Sequence, residues 1–165
     1  KSQSGNLAIT KEPIDLMDLG YKVYLLNKGN LKFKNIDFKL DIQPGTIVSA
    51  DLNTITAVFR NLLSNAVKFT PNGGTISLLA KEADDKILIE IKDSGVGIPP
   101  ENLPKLFDST KHFTTFGTNR ESGSGLGLTL CYDFVKKNDG EIWAESTVGQ
   151  GTSFFLQLAK ANKPE

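Results

Sequence analysis

The sequence has 165 residues, which suits one domain, and its 39% hydrophobic and 23% charged residues are ordinary for a globular protein. Nineteen basic and nineteen acidic residues cancel, so the basic excess that is typical of nucleic-acid-binding proteins is missing and no nucleic-acid partner is expected. The single cysteine, Cys131, excludes an internal disulfide and a cysteine-cluster metal site. Its apolar neighbours favour a reduced thiol in a core, as in a cytosolic protein.

The N-terminal part of the chain predicts an entry segment, a helix and two strands. Residues 1–13 are polar and end at a proline, which predicts a linker. Apolar residues recur at helical spacing over residues 14–28, and the glycine and asparagine at 29–30 predict the end of this helix. Alternating apolar residues over 36–42 and a short apolar pair at 47–48 predict two strands.

A second helix is predicted from its N-cap residue Asp51 to Phe69. The Asp51 carboxylate can accept hydrogen bonds from the first turn, and Pro71 disfavours helical structure before it. The apolar residues of this helix form one stripe on a helical wheel: Leu52, Ile55, Phe59, Leu62, Ala66 and Phe69.

Residues 75–82 and 86–92 predict two strands joined by a tight turn. The segment that follows, residues 93–124, is rich in glycine, serine, threonine and proline. It therefore predicts a loop of about thirty residues, and loops of that length are usually functional or mobile.

The last part of the chain predicts a helix over residues 125–138, with Leu130, Cys131 and Phe134 on its apolar face, and two strands over 141–146 and 152–158. The order of elements predicts an α+β domain. We expect a two-layer α/β sandwich whose mixed, mostly antiparallel sheet is covered on one face by about three helices.

Two amides and an ammonium line one edge of the apolar stripe of the second helix. Asn61, Asn65 and Lys68 follow one another at helical spacing, whereas Arg60 and Ser64 fall on the solvent side. Polar residues that flank an apolar stripe are common at surfaces, and taken alone this interpretation is favoured. The alternative is a site for a polyphosphate with a divalent cation, because amide oxygens suit Mg²⁺ and a lysine can pair with phosphate.

The first glycine-rich segment follows a strand directly. Asp93 stands at the strand end, and Gly95 and Gly97 allow a tight turn with room for a flat ligand. A simple exit from the strand explains this segment equally well. Alternatively, a buried Asp93 carboxylate could accept a hydrogen bond from an exocyclic amine such as adenine N6.

The second glycine-rich segment, with Gly123, Gly125 and Gly127, opens the last helix and predicts an anion site at its N-terminus, a hinge, or both. It is not the dinucleotide fingerprint, because its third glycine comes one residue early and no strand precedes it. The sequence also lacks a P-loop motif and the motifs of the serine, threonine and tyrosine kinases.

These segments together resemble a known family. Five of them resemble, in order, the N box, G1 box, F box, G2 box and closing hairpin of the sensor histidine kinase catalytic domain: residues 61–70, 93–98, 103–107, 117–128 and 140–154. The resemblance implies the Bergerat ATP-binding fold that gyrase, Hsp90 and MutL share. We expect the domain to span residues 14–160, followed by a tail at 161–165.

The resemblance implies ATP and Mg²⁺ as ligands and assigns roles to the matching residues. Asn65 would hold Mg²⁺ with help from Asn61, Lys68 would meet phosphate, Phe69 would pack near the base, and Asp93 would bind adenine N6. Residues 107–124 would form a lid over ATP. Further nucleotide contacts would come from Gly95, Gly97, Ile98, Phe107, Thr118, Gly123, Gly125, Leu126, Gly127 and Leu128.

Some positions depart from the family pattern. The F box usually has a second phenylalanine where this chain has Thr110, and Phe113 or Phe116 could substitute for it. The only histidine, His112, falls in the lid and is not expected to be the phosphoacceptor.

Asn61 separates the subfamilies. Relatives that hydrolyse ATP carry a glutamate at this place, whereas an amide cannot serve as a general base. With Asn61, Asn65 and Lys68 as catalytic residues, we expect transfer of the γ-phosphoryl group to a histidine on a dimerisation helix outside this sequence. The alternatives are a degenerate, non-catalytic ATP-binding module and a protein-serine kinase of the same fold.

The resemblance also implies partners and a location. The expected partners are the protein's own dimerisation and phosphoacceptor helices and, downstream, the receiver domain of a response regulator. The expected location is the cytoplasm. No apolar run approaches the ~20 residues of a membrane span, so any membrane attachment would lie in segments outside this sequence.

Overall fold

The computed structural model describes residues 8–107, 115–116, 122–123 and 126–161. A short 3₁₀ helix at Leu103–Lys105 joins the regular elements, which follow one another as β1 (Lys11–Asp15), α1 (Leu16–Phe33), β2 (Asp37–Asp41), β3 (Ile47–Asp51), α2 (Leu52–Phe69), β4 (Thr75–Ala83), β5 (Lys86–Asp93), β6 (Thr115–Phe116), β7 (Ser122–Gly123), α3 (Leu126–Lys137), β8 (Glu141–Thr147) and β9 (Gly151–Ala159).

The main sheet has five strands in the order β2-β4-β5-β9-β8, and only β2 and β4 are parallel. Alternate residues of β4 and β5 are buried towards the helices, including Leu78 and Ile89. Because α2 packs against both α1 and α3, the three helices form one layer over this face. The predicted α+β sandwich with a mixed, mostly antiparallel sheet is therefore confirmed.

Helix α2 lies at the centre of the core and has the predicted bounds. The Asp51 side chain accepts a hydrogen bond from the Thr54 N–H at 3.0 Å, as an N-cap residue should. Ile55, Phe59 and Leu62 are fully buried, whereas Leu52 at the start of the predicted stripe is exposed. The amphipathic pattern therefore set both the bounds and the buried face of this helix.

Helix α1 corrects one prediction, because it continues past residues 29–30 to Phe33. Leu31 is buried in the core, so the apolar stripe extends one more turn and its packing overrides the low helix propensity of Gly29. The helix ends where Asn35 takes a positive φ of 54°, a conformation that asparagine tolerates.

The predicted entry segment contains a strand. Lys11–Asp15 pairs antiparallel with β3, and the Thr10 N–H donates to Asp51 Oδ1 at 3.2 Å. Residues 11–13 are thus part of a two-stranded sheet, a correction that their sequence, with its charged residues and a proline, did not indicate. The domain boundaries and the tail at 161–165 remain predictions.

The predicted loop at 93–124 contains the 3₁₀ helix and a short ladder between β6 and β7. Helix α3 lies close to its predicted place. Of the residues predicted on its apolar face, Cys131 is buried and Phe134 packs partly buried against the core, whereas Leu130 is 40% exposed. The final two strands match their predictions within one residue at each end. Within the described residues, none of the helices combines the length and the hydropathy that crossing a bilayer requires.

Candidate functional site

The C-terminal half of α2 carries the predicted amide edge. Asn61, Asn65 and Lys68 are all half-buried, between the fully buried stripe and the exposed Arg60 and Ser64. The Lys68 ammonium also lies 4.9 Å from the centroid of the Phe69 ring, a cation–π contact. These polar groups therefore stand at the border of core and solvent, as the helical wheel predicts.

Asp93, at the end of β5, is only 7% exposed. Its Oδ1 accepts hydrogen bonds from the N–H groups of Gly95 at 2.8 Å and Thr152 at 3.2 Å. Burial raises the pKa of Asp93 to about 6, although these two hydrogen bonds act in the opposite direction. Because both bonds that the structure records for this carboxylate end on Oδ1, Oδ2 is the atom suited to a ligand donor.

The loop after Asp93 packs tightly against its surroundings. A Cβ atom at Gly95 would lie 2.4 Å from the Phe69 carbonyl oxygen. Gly97 has a φ of +80°, and a Cβ atom there would lie 2.3 Å from the Thr147 carbonyl oxygen. Both positions exclude a side chain, and Gly97 needs a conformation that L-residues rarely adopt.

One backbone hydrogen bond joins this loop to α2. The Val96 N–H donates to the Phe69 carbonyl oxygen at 3.1 Å. Asn65 stands one helical turn before Phe69, about 6 Å along the axis. The structure therefore brings the predicted base-binding loop and the predicted phosphate- and metal-binding edge to the same end of α2.

The start of α3 lies beside Asn61. A Cβ atom at Gly127 would lie 3.5 Å from Asn61 Oδ1, an ordinary contact distance. Burial raises the pKa of the Cys131 thiol to about 12, and a side-chain hydrogen bond with Asn61 acts in the opposite direction. The Asn61 side chain thus lies where α2 and α3 meet. Cys131 is a free, buried cysteine, as predicted.

Phe107 has aromatic partners that the sequence did not reveal. Its ring stacks on Tyr132 of α3 at a centroid distance of 5.8 Å and meets Phe154 of β9 edge-on at 6.4 Å. Phe107 therefore fixes the point where the chain enters the predicted lid segment.

Thr152 and Ser146 were also missed. Thr152 faces Asp93 in the β5–β9 register, and Ser146 Oγ accepts from the Ile98 N–H at 2.7 Å. Pairing the last strand with β5 would have indicated Thr152, because the two residues are then direct neighbours. No local pattern indicated Ser146 or Tyr132.

Several predicted site residues lie outside what the structure describes. These are Thr118, Gly125 and the side chain of Leu126. The predicted lid residue His112 also lies outside the described residues. Ile98 is partly buried against the core, and Leu128 is buried within it. Leu128 therefore packs in the core, and its predicted contact with the nucleotide remains a prediction.

The donor set fits Mg²⁺ better than a transition metal. In the part of the chain that the structure describes, no group of three histidine, cysteine, aspartate or glutamate side chains could hold a metal ion. Mg²⁺ needs no such cage, because it keeps several waters and binds few protein oxygens together with substrate phosphates. The amide oxygens of Asn65 and Asn61 are compatible with that mode.

Comparison with known proteins decides the family. Residues 50–162 match the model of the "Histidine kinase-, DNA gyrase B-, and HSP90-like ATPase" family. This chain belongs to that family. The matched range contains all the predicted site residues, and the resemblance noted in the sequence is therefore confirmed.

Two curated relatives are sensor kinases. The chain is 36% identical over 120 residues to the sensor histidine kinase WalK of Bacillus subtilis, a match that covers 72% of the chain and 20% of the relative. It is 34% identical over 153 residues to the sensor protein kinase WalK of Staphylococcus aureus, covering 91% of the chain and 36% of the relative. The chain thus spans about a fifth to a third of the length of these relatives.

Solved structures agree on the fold. The nucleotide-free catalytic domain of the histidine kinase ThkA superposes with a TM-score of 0.79 at 29% identity, covering 92% of this chain and 96% of that one. ThkA in complex with the response regulator TrrA gives a TM-score of 0.76 at 27% identity, covering 93% and 42%. The chain is therefore a homologue of a histidine kinase catalytic domain over nearly its whole length.

Proposed function

We propose that this chain is the ATP-binding catalytic domain of a two-component sensor histidine kinase. It would transfer the γ-phosphoryl group of ATP to a histidine on a dimerisation helix outside this sequence. The observation that carries the proposal is the bond from the Val96 N–H to the Phe69 carbonyl, which joins the buried Asp93 loop to the end of α2 that bears Asn65 and Lys68. The kinase relatives support the same assignment.

The residues divide the work of binding ATP. Asp93 Oδ2 would accept a hydrogen bond from adenine N6, and Gly95 and Gly97 would shape the base pocket by letting the loop lie close against the Phe69 and Thr147 carbonyls. The half-buried Lys68 would pair with phosphate oxygens, and Asn65, assisted by Asn61, would hold Mg²⁺. Bound Mg²⁺ would neutralise charge on the phosphates during transfer.

The amide at Asn61 favours transfer over hydrolysis. It cannot take a proton from water, and its contacts with α3 hold it in place. The domain would therefore keep ATP intact until an acceptor histidine reaches the γ-phosphorus. The histidine nitrogen then forms the new bond to phosphorus while ADP leaves with the bond electrons.

The proposed partners follow from this activity. The acceptor helices would be part of the same protein, and a response regulator would receive the phosphoryl group, as the complex of the related ThkA with TrrA suggests. The supply of ATP places such a domain in the cytoplasm. The alternative functions are a non-catalytic module and a protein-serine kinase. Intact Asn65 and Asp93 favour the catalytic domain over a degenerate module, whereas Asn61 does not decide between a histidine and a serine acceptor.

A phosphotransfer experiment separates these functions. The domain is mixed with the separately produced dimerisation hairpin of the same protein and with ATP labelled at the γ-phosphate. A label on the hairpin that acid removes and base does not indicates phosphohistidine. A label with the opposite stability indicates a serine acceptor, and nucleotide binding without labelling indicates a non-catalytic module; either result contradicts the proposal.

Asn65→Ala tests the metal site directly. Mg-ATP at ~100 times its dissociation constant should stabilise the wild-type domain by about 2.7 kcal/mol and raise its melting temperature. We expect the variant to lose nearly all of this rise, because Mg²⁺ loses its protein ligand. Ser64→Ala, one residue away on the exposed side, is the matched control and should keep it. An undiminished rise in Asn65→Ala would show that Asn65 holds no metal.

A further inference from the structure

The C-terminal end of α2 has no glycine cap, and groups outside the helix donate hydrogen bonds to its last four carbonyl groups. The Ala66 oxygen accepts from Thr70 Oγ1 at 2.6 Å, and the Phe69 oxygen accepts from the Val96 N–H at 3.1 Å. The oxygens of Val67 and Lys68 accept from one group, the Nζ of Lys34, at 2.8 and 3.2 Å. All four carbonyls are satisfied.

Lys34 is an unusual donor because its side chain is almost fully buried, with only 2% of the residue exposed. Burial of an ammonium is costly unless it is hydrogen-bonded and meets negative charge. Here it lies against the C-terminus of α2, where the helix dipole is negative. An apolar side chain of the same length would avoid that cost, but it would remove this donor from the Val67 and Lys68 carbonyls.

The backbone of Lys34 is fixed on both sides. Its N–H donates to the Asn30 carbonyl in the last turn of α1, and its carbonyl accepts from the Gly73 N–H at 2.9 Å. Gly73 belongs to the turn at 71–74, which leads directly to Thr75. Thr75 in turn exchanges hydrogen bonds with Ser94. The backbone that carries the Lys34 side chain is therefore hydrogen-bonded to the same turn that holds the loop after Asp93.

We propose that Lys34 is a positioning residue for the nucleotide site. By holding the Val67 and Lys68 carbonyls, it fixes the last turn of α2, and with it the side chains of Lys68 and Phe69. The same turn presents the Phe69 carbonyl that binds Val96, so Lys34 also sets the distance between the phosphate side of the site and the base side. This inference rests on the proposed function of the site, but it concerns a residue that touches no nucleotide.

Lys34→Met keeps the length of the side chain and removes the charge and the donor. We expect the dissociation constant for ADP to rise about tenfold, the factor that corresponds to one lost charge-assisted hydrogen bond. Lys34→Arg, which keeps charge and donors, should stay within about threefold of the wild type. The control is Leu19→Ala, a buried residue of the first turn of α1, about 22 Å away along that helix. It should lower stability and leave ADP binding unchanged.

A second measurement needs no nucleotide. Amide hydrogen exchange of Val96 reports its bond to the Phe69 carbonyl, and exchange of Ile89 in β5 reports the core. In Lys34→Met, the Val96 amide should exchange faster relative to Ile89, whereas Leu19→Ala should not change that ratio. If Lys34→Met does not fold, Lys34→Gln, which keeps a neutral donor, takes its place with both measurements.

The outcomes are distinguishable. If Lys34→Met and Leu19→Ala lose similar stability and neither changes ADP binding or the Val96 exchange ratio, Lys34 only stabilises the fold and the inference is wrong. If the wild-type chain binds no adenine nucleotide, the proposed function fails, while the Val96 exchange ratio still tests whether Lys34 positions the loop.

Discussion

Two buried aspartates, one at each end of α2, have opposite environments. Asp51 begins the helix, and its two oxygens accept from the Thr54 N–H, the Thr54 hydroxyl and the Thr10 N–H. Burial alone would raise the pKa of Asp51, but these hydrogen bonds outweigh it and hold the pKa below its usual value. Asp93, beside the other end, has two donors on one oxygen, and burial raises its pKa to about 6.

The difference fits a structural role for Asp51 and the ligand-binding role that we propose for Asp93. Both oxygens of Asp51 accept from donors of the fold, and Asn138 extends this network by accepting from the Asp51 N–H at 2.7 Å and donating to Thr54 Oγ1 at 3.0 Å. Asp93 is buried at a cost that the fold does not fully offset. Such an incompletely satisfied group is typical of a site that is completed by its ligand.

Removing Asn138, which supports the N-terminal end of α2 at Asp51, should have the largest effect on stability. Asn138 is fully buried, and Asn138→Ala removes the side-chain amide that accepts from the Asp51 N–H and donates to the Thr54 hydroxyl. We expect a loss of about 3 kcal/mol in the free energy of unfolding, measured by urea denaturation. ADP affinity at a temperature where the variant is folded should be unchanged. A tenfold loss of affinity would mean that the two ends of α2 are coupled.

Asp93→Asn should act in the opposite direction on stability. The amide keeps an oxygen for the N–H groups of Gly95 and Thr152 and removes a buried charge, so we expect a gain of about 2 kcal/mol at pH 7.5. The folded-state pKa lies above the unfolded value, so the cost of the charge builds up as the pH rises from about 4 to about 6, where the unfolded chain is ionised and the folded chain is not. The gain should therefore shrink between pH 7.5 and pH 4.5 in urea titrations.

The same variant should bind nucleotides worse despite its higher stability. With an amide in place of the acceptor for adenine N6, ATP and ADP should weaken more than inorganic triphosphate, as measured by calorimetry. Equal weakening of both ligand types would mean that Asp93 does not recognise the base. A stability gain combined with a loss of adenine binding is the trade-off that a functional carboxylate predicts.

Most of the fold was predictable from sequence because its signals are local. The stripe from Ile55 to Phe69 and the N-cap at Asp51 define α2 without knowledge of its neighbours. The candidate site was predictable where one segment carries the signal, as in Asp93 with Gly95 and Gly97. The elements that were missed depend on contacts between distant segments. Strand β1 forms because it pairs with β3, and the extra turn of α1 forms because Leu31 packs into the core.

The network around Lys34 has the same origin. Its partners at 67 and 68 are more than thirty residues away, and a lysine after a helix carries no sign that its side chain will be buried. The stacking of Phe107 on Tyr132 also joins segments whose separation in sequence hides the contact. Contacts of this kind follow from tertiary packing and not from propensity.

Asp51→Asn provides the smallest and sharpest test of the comparison. The amide puts an N–H₂ group where one oxygen of Asp51 now accepts, so it opposes either the Thr10 N–H or the Thr54 donors. We expect a loss of about 1 kcal/mol at pH 7.5, because an asparagine still caps the helix with its remaining oxygen. The same chemical change would thus destabilise the fold at Asp51 and stabilise it at Asp93.

Since the folded-state pKa of Asp51 is depressed, the contribution of its charge to stability is present above the unfolded pKa and disappears as the pH falls. Urea titrations should therefore show the difference between wild type and variant narrowing below pH 4, and a difference that stays constant with pH would mean that the charge of Asp51 does not stabilise the fold.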